Sequence, residues 1–381
     1  MAAVKRIALF SIILLLVLAV LASCGDGKAS VLAEGEEVPM RHATLLRIRR
    51  GEGYTYVGVV NPWDTTAVLH SYVLVPREAG ELPASLPEGD VVRTPVESAV
   101  VYSVVHCSLL EELGAYGAIS GVCDLRYMSH EGIRRDVARG RIRNVGESSA
   151  PNVEALMELS PGAILLSPYQ DSGSYGRLSM LGVPLVECAD YMETSPLGRA
   201  EWMRFYGLLF GRGEEADSLF GAVEREYERL RGLAARSGRR PSVVVDMKYG
   251  NTWYVAGGGS TTGRLLRDAA AAYVYADTDA SGSLPLAPEA VFERAMDAEF
   301  WLVRYAQSAD KTYAEIAQEY ANYARMRAFR TRNIYACNTD LTPFYAETPF
   351  HPHLLLREYM KILHPELLPN DTLRYYHRLT K

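Results

Sequence analysis

The sequence predicts an α/β protein of two lobes, each with a mainly parallel sheet and flanking helices, joined by a long bridging helix and preceded by a small β-rich appendage. Three observations carry this. Short apolar runs alternate with helix-length segments across residues 96–195 and again across 239–381, the pattern of βα units. Between them, residues 196–238 hold no strand-like run and keep apolar residues at three- and four-residue steps. Residues 38–95 follow a third pattern, β-rich and broken by Gly and Pro.

The elements follow in order. Residues 7–22 form a sixteen-residue apolar run behind Lys5 and Arg6, closing on Leu21-Ala22-Ser23-Cys24. That is shorter than the ~20 residues of a membrane span. Basic residues before and small residues after it mark a cleavable secretory signal, residues 1–23. The terminal cysteine reads as a lipobox, so Cys24 is the expected lipidation site and membrane anchor, each buried CH₂ contributing roughly 0.8 kcal/mol. An ordinary signal ending on a chance cysteine is the plainer alternative. Residues 24–37 read as a tether, and the runs TLLRIRR, YTYVGVVNPW and VLHSYVLVP as short strands of the appendage, which with its connection spans 38–95.

In the N-terminal lobe, 96–195, strands are expected at 99–105, 118–122, 163–167 and 183–187, with helices at 108–113 and in VEALMEL, which Asn152 caps. Pro196 opens a helix running to about 210. A second helix from Glu214 carries Ala216, Leu219, Phe220, Val223, Tyr227, Leu230 and Leu233 on one face. At 1.5 Å per residue it reaches roughly 33 Å, enough to cross from lobe to lobe. The C-terminal lobe, 239–381, reads as SVVVDMKYG, GRLLRDAA, PEAVFERA, EFWLVRY, a long helix YAEIAQEYANY, the strand NIYACN and a closing helix HPHLLLREYMKILHPEL.

Composition is that of an ordinary globular chain, 48% apolar and 23% charged. A net charge of −6 without a basic block argues against a nucleic-acid partner. Cys107, Cys123, Cys188 and Cys337 show no CxxC spacing; a Cys107–Cys123 disulfide and four buried thiols both suit an exported chain. The GGGS run fails as a nucleotide loop. Gly258 and Gly263 have P-loop spacing, but Arg264 and Leu265 stand where Lys and Ser/Thr must lie, and Thr262 spoils the dinucleotide fingerprint. Its glycines are expected to let the backbone turn tightly beside a ligand.

Over residues 96–381 the chain resembles the class III, helical-backbone substrate-binding proteins of ABC importers for ferric siderophores, haem and cobalamin. The resemblance rests on a strand running into Ser103-Val104-Val105-His106, on PNVEALMELSPGAILLS, on the bridging helix, on WYVAGGGSTTGRLLRDAAA, and on LAPEAVFERAMDAEFWLV followed by HPHLLLREYMKILHPEL. It implies a non-catalytic receptor that presents a bulky metal chelate to a permease dimer. It also implies that Glu154 and Glu289, one early in a helix of each lobe, pair with permease arginines; as plain residues they are first-turn acids favoured by the helix dipole. The appendage inherits nothing from it.

Open α/β sheets bind ligands at the carboxyl ends of their strands. On that rule the candidate ligand contacts are Tyr102, Ser103, His106, Tyr169, Tyr191, Trp253, Tyr254, Tyr305, Phe344 and Tyr345. Aromatics give large contact area with a polar tip, although many of the 24 tyrosines must be core. His106 reads either as a helix-start histidine bonding backbone or as a ligand to a chelated metal. His351 and His353 read as structural, because Pro352 diverges them. No catalytic residue, resident metal or cofactor is expected. The expected protein is a monomeric lipoprotein of the cell envelope, whose partners are an ABC permease, a metal chelate and a membrane. The alternative is a lipoprotein that serves an outer-membrane transporter as a partner-binding module, with the appendage as interface.

Overall fold

The computed structural model describes residues 35–170 and 175–380. The signal, Cys24 and most of the tether lie outside the described residues.

The appendage is a five-stranded sheet of Glu36–Val38, Leu46–Gly51, Tyr54–Val60, Val68–Pro76 and Asp90–Thr94 in sequential order. The first four strands run antiparallel and the fifth parallel to the fourth. Period-two alternation sends Leu46, Ile48, Val57, Val59, Tyr72 and Leu74 into one core with Trp202, Phe205 and Leu209 from the segment between the lobes. Tyr72 stacks on Phe205 at 5.8 Å, and its hydroxyl donates to Leu185 O and accepts from Glu187 N, tying the appendage to an N-lobe edge strand.

The N-lobe sheet is parallel throughout, in the order Leu185–Glu187, Ala163–Leu166, Ala99–Val101, Ile119–Val122, Arg143–Asn144. The C-lobe sheet runs Ala272–Tyr273, Ser242–Val245, Phe300–Tyr305, Ile334–Asn338, with His377–Arg378 added antiparallel at its edge. The central strands AVV and SVVV are almost wholly buried, as expected for parallel strands covered on both faces. A small antiparallel sheet, Lys248–Tyr249, Thr252–Ala256 and Ser283–Leu286, sits beside the C-lobe sheet.

Ser195 caps helix Pro196–Glu201, with proline in its first turn; Met203–Leu209 and the 22-residue helix Gly213–Ala234 follow. The long helix buries Ala216, Phe220, Val223, Tyr227, Leu230 and Ala234 and packs along the C-lobe helix Pro352–Leu363. Gly35 to Lys381 form one compact unit.

Two C-lobe segments depart from the sequence reading. The expected helix over 313–323 stops at Glu319, because Tyr320 is extended (φ −160°, ψ 109°) and a 3₁₀ turn, Ala321–Arg325, follows. Tyr320 packs on Phe292 at 5.4 Å and donates to Glu289 at 3.3 Å, so tertiary contacts override local helix propensity there. The closing helix ends at Leu363. Pro365 disfavours a helical His364, and the chain returns as the edge strand His377–Arg378 that the sequence did not announce. All four described cysteines are buried free thiols. Burial pushes the Cys123 thiol up to about 12 and Cys337 to about 11.

Candidate functional site

A cavity of about 920 Å³ opens between the lobes. Its N-lobe wall comes from Ser103–Val105 after the first strand and from Arg126, Tyr127, Ser129 and Arg134 after the second. Its C-lobe wall is Asp246, Arg304, Tyr305, Ala306, Thr339, Asp340 and Tyr345. Nearly all of these residues stand at or just beyond the carboxyl ends of parallel strands, where the strand direction points helix N-termini and loop backbone at one shared space.

Local structure fixes each wall. Ser103 caps helix Val104–Glu112 by accepting from Val105 N at 3.3 Å. Asp124, in the left-handed region (φ 49°), turns the chain into the 3₁₀ turn Leu125–Tyr127, which leaves Tyr127 67% exposed with the Arg126 guanidinium over its ring at 4.5 Å. Across the gap, Asp246 also has a left-handed backbone (φ 61°), a conformation that costs a non-glycine residue about 1–3 kcal/mol and persists only when its surroundings hold it. The holders are visible. Trp301 Nε1 donates to Asp246 O at 2.7 Å, and Arg304 donates Nε and Nη2 to the two carboxylate oxygens at 2.9 and 2.8 Å. That carboxylate keeps the Arg304 guanidinium firmly charged. Phe344 packs beneath Arg304 at 5.6 Å and edge-on to Tyr345 at 5.2 Å. Tyr305 accepts from Lys311 N at 2.9 Å; burial, assisted by nearby Asp310, pushes its hydroxyl up to about 12.

Two further cavities adjoin this one. One, of about 830 Å³, lies on the N-lobe among Tyr102, Ser103, Asp124, Ser148, Tyr169 and Arg177, and shares Ser103 with the cleft. Another, of about 870 Å³, lies on the flank where the lobes meet, and shares Ser129 and Asp340. There His351 Nε2 meets Glu112 of the N-lobe at 2.7 Å, a cross-lobe contact. Among the described residues no group of three or more His, Cys, Asp or Glu side chains converges as a metal site.

The sequence model of the periplasmic binding protein family matches residues 102–341. The chain belongs to this family. Within it, the two parallel-sheet lobes and the helical bridge have the class III periplasmic binding protein fold. An uncharacterised lipoprotein of Methanocaldococcus jannaschii is 25% identical over 286 residues, covering 72% of this chain and 67% of the relative. Among solved structures, the TroA-like periplasmic binding protein FepB of Veillonella parvula shares the fold at TM-score 0.57 and 15% identity, covering 75% of this chain and 96% of that one. The periplasmic vitamin B12 binding protein BtuF of Vibrio cholerae does so at TM-score 0.52 and 12% identity, covering 73% and 99%. The family match begins after the appendage. The family is one of binding proteins, without a catalytic step.

The residues expected at the ligand divide into groups. Ser103, Tyr305 and Tyr345 line the interlobe cleft, and Phe344 supports it from beneath. Tyr102 and Tyr169 line the adjoining N-lobe cavity instead. Tyr191 and Tyr254 are exposed but line none of these cavities, and Tyr191 donates its hydroxyl to Pro168 O. His106 and Trp253 are corrections. His106 turns inward from its helix and is 4% exposed, with Nε2 2.9 Å from Asp190 and 3.1 Å from the Tyr206 hydroxyl. Burial opposes ionisation of Asp190, but His106, Arg199 and Tyr206 outweigh it and hold the carboxyl below the usual range. Trp253 occupies the inward register of its strand, donates to Val245 O at 3.3 Å and packs among Phe292, Trp301 and Tyr323; alternation sends Tyr254 outward.

The GGGS glycines also serve packing within the C-lobe rather than the cleft. A Cβ on Gly258 would stand 2.6 to 2.7 Å from three carbonyl oxygens, and one on Gly263 would stand 2.4 Å from Gly257 O. Ser260 caps helix Thr261–Asp268, accepting from Gly263 N at 3.1 Å. Glu154 and Glu289 are exposed in the first turn of one helix per lobe; Glu154 sits 3.4 Å from Arg177. Sequence reasoning missed Arg126, Tyr127, Arg134, Asp246 and Arg304. The strand-end rule reaches Asp246 and Arg304 directly, whereas Arg126 and Tyr127 lie in a 3₁₀ turn and Arg134 in a helix several residues beyond their strand.

Proposed function

We propose that this protein is a lipid-anchored receptor that captures a bulky metal chelate between its lobes and delivers it to an ABC permease. The observation that carries the reading is the cleft of about 920 Å³, walled by strand ends of both lobes. Its size is that of a site for a large ligand. Tyr127, Tyr305 and Tyr345 supply aromatic area with polar tips. Binding occurs with small closure, because the 22-residue bridging helix packs along the C-lobe helix Pro352–Leu363 and lies in one continuous core with N-lobe residues. Glu154 and Glu289 dock on permease arginines, setting encounter rate and orientation more than affinity. Cys24 carries the anchor; a curated relative is itself named a lipoprotein.

The reading is tested by thermal unfolding of the mature protein against cobalamin, cobinamide, haemin and several ferric siderophores. A ligand at 100 times its Kd adds about 2.7 kcal/mol, so one class raises the midpoint. A folded protein that responds to none of them contradicts the reading. Incorporation of labelled palmitate by wild type and not by Cys24→Ala tests the anchor.

A further inference from the structure

We infer that the cargo of the cleft is an anionic chelate, gripped by Arg126 and Arg134 on the N-lobe wall and by Arg304 on the C-lobe wall; this rests on the cleft being the ligand site. Three guanidinium groups and two carboxylates line the cavity. One carboxylate, Asp246, is engaged on both oxygens by Arg304, at 2.9 and 2.8 Å. That leaves Asp340 facing a wall with two more cations.

Those two cations are poorly neutralised. Arg134 donates to the carbonyl oxygens of Met128 and Arg126, at 2.6 and 3.1 Å, and has no carboxylate within ion-pair distance among the described residues. The bond to Arg126 O ties the Arg134 guanidinium to the backbone of the 3₁₀ turn that carries Arg126. Arg126 pairs with Glu147 at 3.5 Å, both side chains being more than half exposed, and its charge also helps to hold the Asp124 carboxyl down. An exposed pair of that kind is weak and readily exchanged for a ligand. Its guanidinium is already stacked over Tyr127, 4.5 Å from the ring centre, which orients it at low entropy cost.

Arg304 contributes differently. Asp246, in its strained backbone conformation, takes Nε and Nη2 and so fixes the plane of the fork of Arg304, which lines the cleft wall. Asp246 is thus a positioning residue. Two stacked or braced forks on opposite walls, with one exposed tyrosine on each wall, Tyr127 and Tyr345, match an acceptor-rich anion with flat faces. The surplus of positive charge on these walls also concentrates such an ion from solution.

The test uses the full mature lipoprotein in detergent micelles and three ferric chelates: a trianionic tris-catecholate, a neutral tris-hydroxamate and a monocationic tris-hydroxamate. Affinities are read by fluorescence titration for wild type, Arg126→Gln, Arg134→Gln and the control Arg143→Gln, whose exposed partner is Glu158 outside the cleft. The expected result is that the trianion binds about tenfold or more tighter than the other two. Each cleft variant then loses about tenfold for the trianion with little change for the neutral chelate, and Arg143→Gln changes neither. Tighter binding of the neutral or cationic chelate, or equal losses for all three, overturns the inference and leaves the receptor reading standing. A folded protein that binds none of the three overturns the inference, and one that also fails with cobalamin, cobinamide and haemin overturns the receptor reading.

Discussion

Replacing Glu201 with Gln tests how the appendage is joined to the lobes. Glu201 is fully buried at the end of helix Pro196–Glu201. Its Oε2 accepts from His42 N at 2.7 Å and Ala43 N at 2.8 Å, while Oε1 accepts from Arg41 N at 2.9 Å and lies 3.5 Å from Arg204. Glutamine keeps the shape but turns one acceptor into a donor. The less costly orientation opposes the amide to Arg41 N and keeps the two bonds to His42 and Ala43, now to a neutral oxygen. One charge-assisted bond is lost, at about 1.5–3 kcal/mol, and two are weakened by roughly half that each. Relief of the carboxylate's desolvation offsets part of this, leaving a net loss of about 2–4 kcal/mol. Urea unfolding of Glu201→Gln beside Glu37→Gln gives the measurement, since Glu37 is exposed and its 3.5 Å pair with Arg49 is worth little. A Glu201→Gln midpoint equal to that of Glu37→Gln would refute the reasoning.

Three other outcomes are expected. Trp253→Ala costs about 3–5 kcal/mol of stability and leaves ligand affinity per folded molecule unchanged, whereas Tyr127→Ala does the reverse; unfolding curves paired with titrations separate them. Because the Asp190 carboxyl is depressed in the fold, its stabilisation is present above the unfolded value of ~3.9 and is lost as pH falls through the native value. The stability gap between wild type and Asp190→Asn should therefore be widest near neutral pH and narrow below about pH 4, measured by thermal unfolding across pH. Reversing Glu154 and Glu289 to Lys together should abolish ligand delivery to permease-containing vesicles while titrations stay at wild-type affinity; retained delivery counts against the docking role.

The two lobes were legible because buried parallel strands must be apolar along their whole length, and AVV, AILL and SVVV have no other reading beside amphipathic helices. The bridge was legible from one stripe of apolar residues over 22 positions. What the sequence concealed was decided by distant contacts. The break at Tyr320 comes from Phe292 and Glu289, roughly thirty residues earlier in the chain. The edge strand His377–Arg378 is two residues long and exists only because Ile334–Asn338 lies beside it. The site was half legible for a similar reason. A strand-end rule says which loops face the cleft, but not which side of a strand turns inward, so Trp253 and Tyr254 could not be told apart before their register was known. His106 could not be placed because its partners, Asp190 and Tyr206, lie 84 and 100 residues away.

The central claim is that ligand is held between the lobes. Hydrogen exchange of the mature protein, with and without a chelate that raises its unfolding midpoint, tests this most directly. Slowed exchange is expected on both walls at once, over residues 124–134 and over 304–306 and 339–345, with the appendage strands 36–94 unchanged. Protection confined to the appendage, or to one lobe alone, would contradict it.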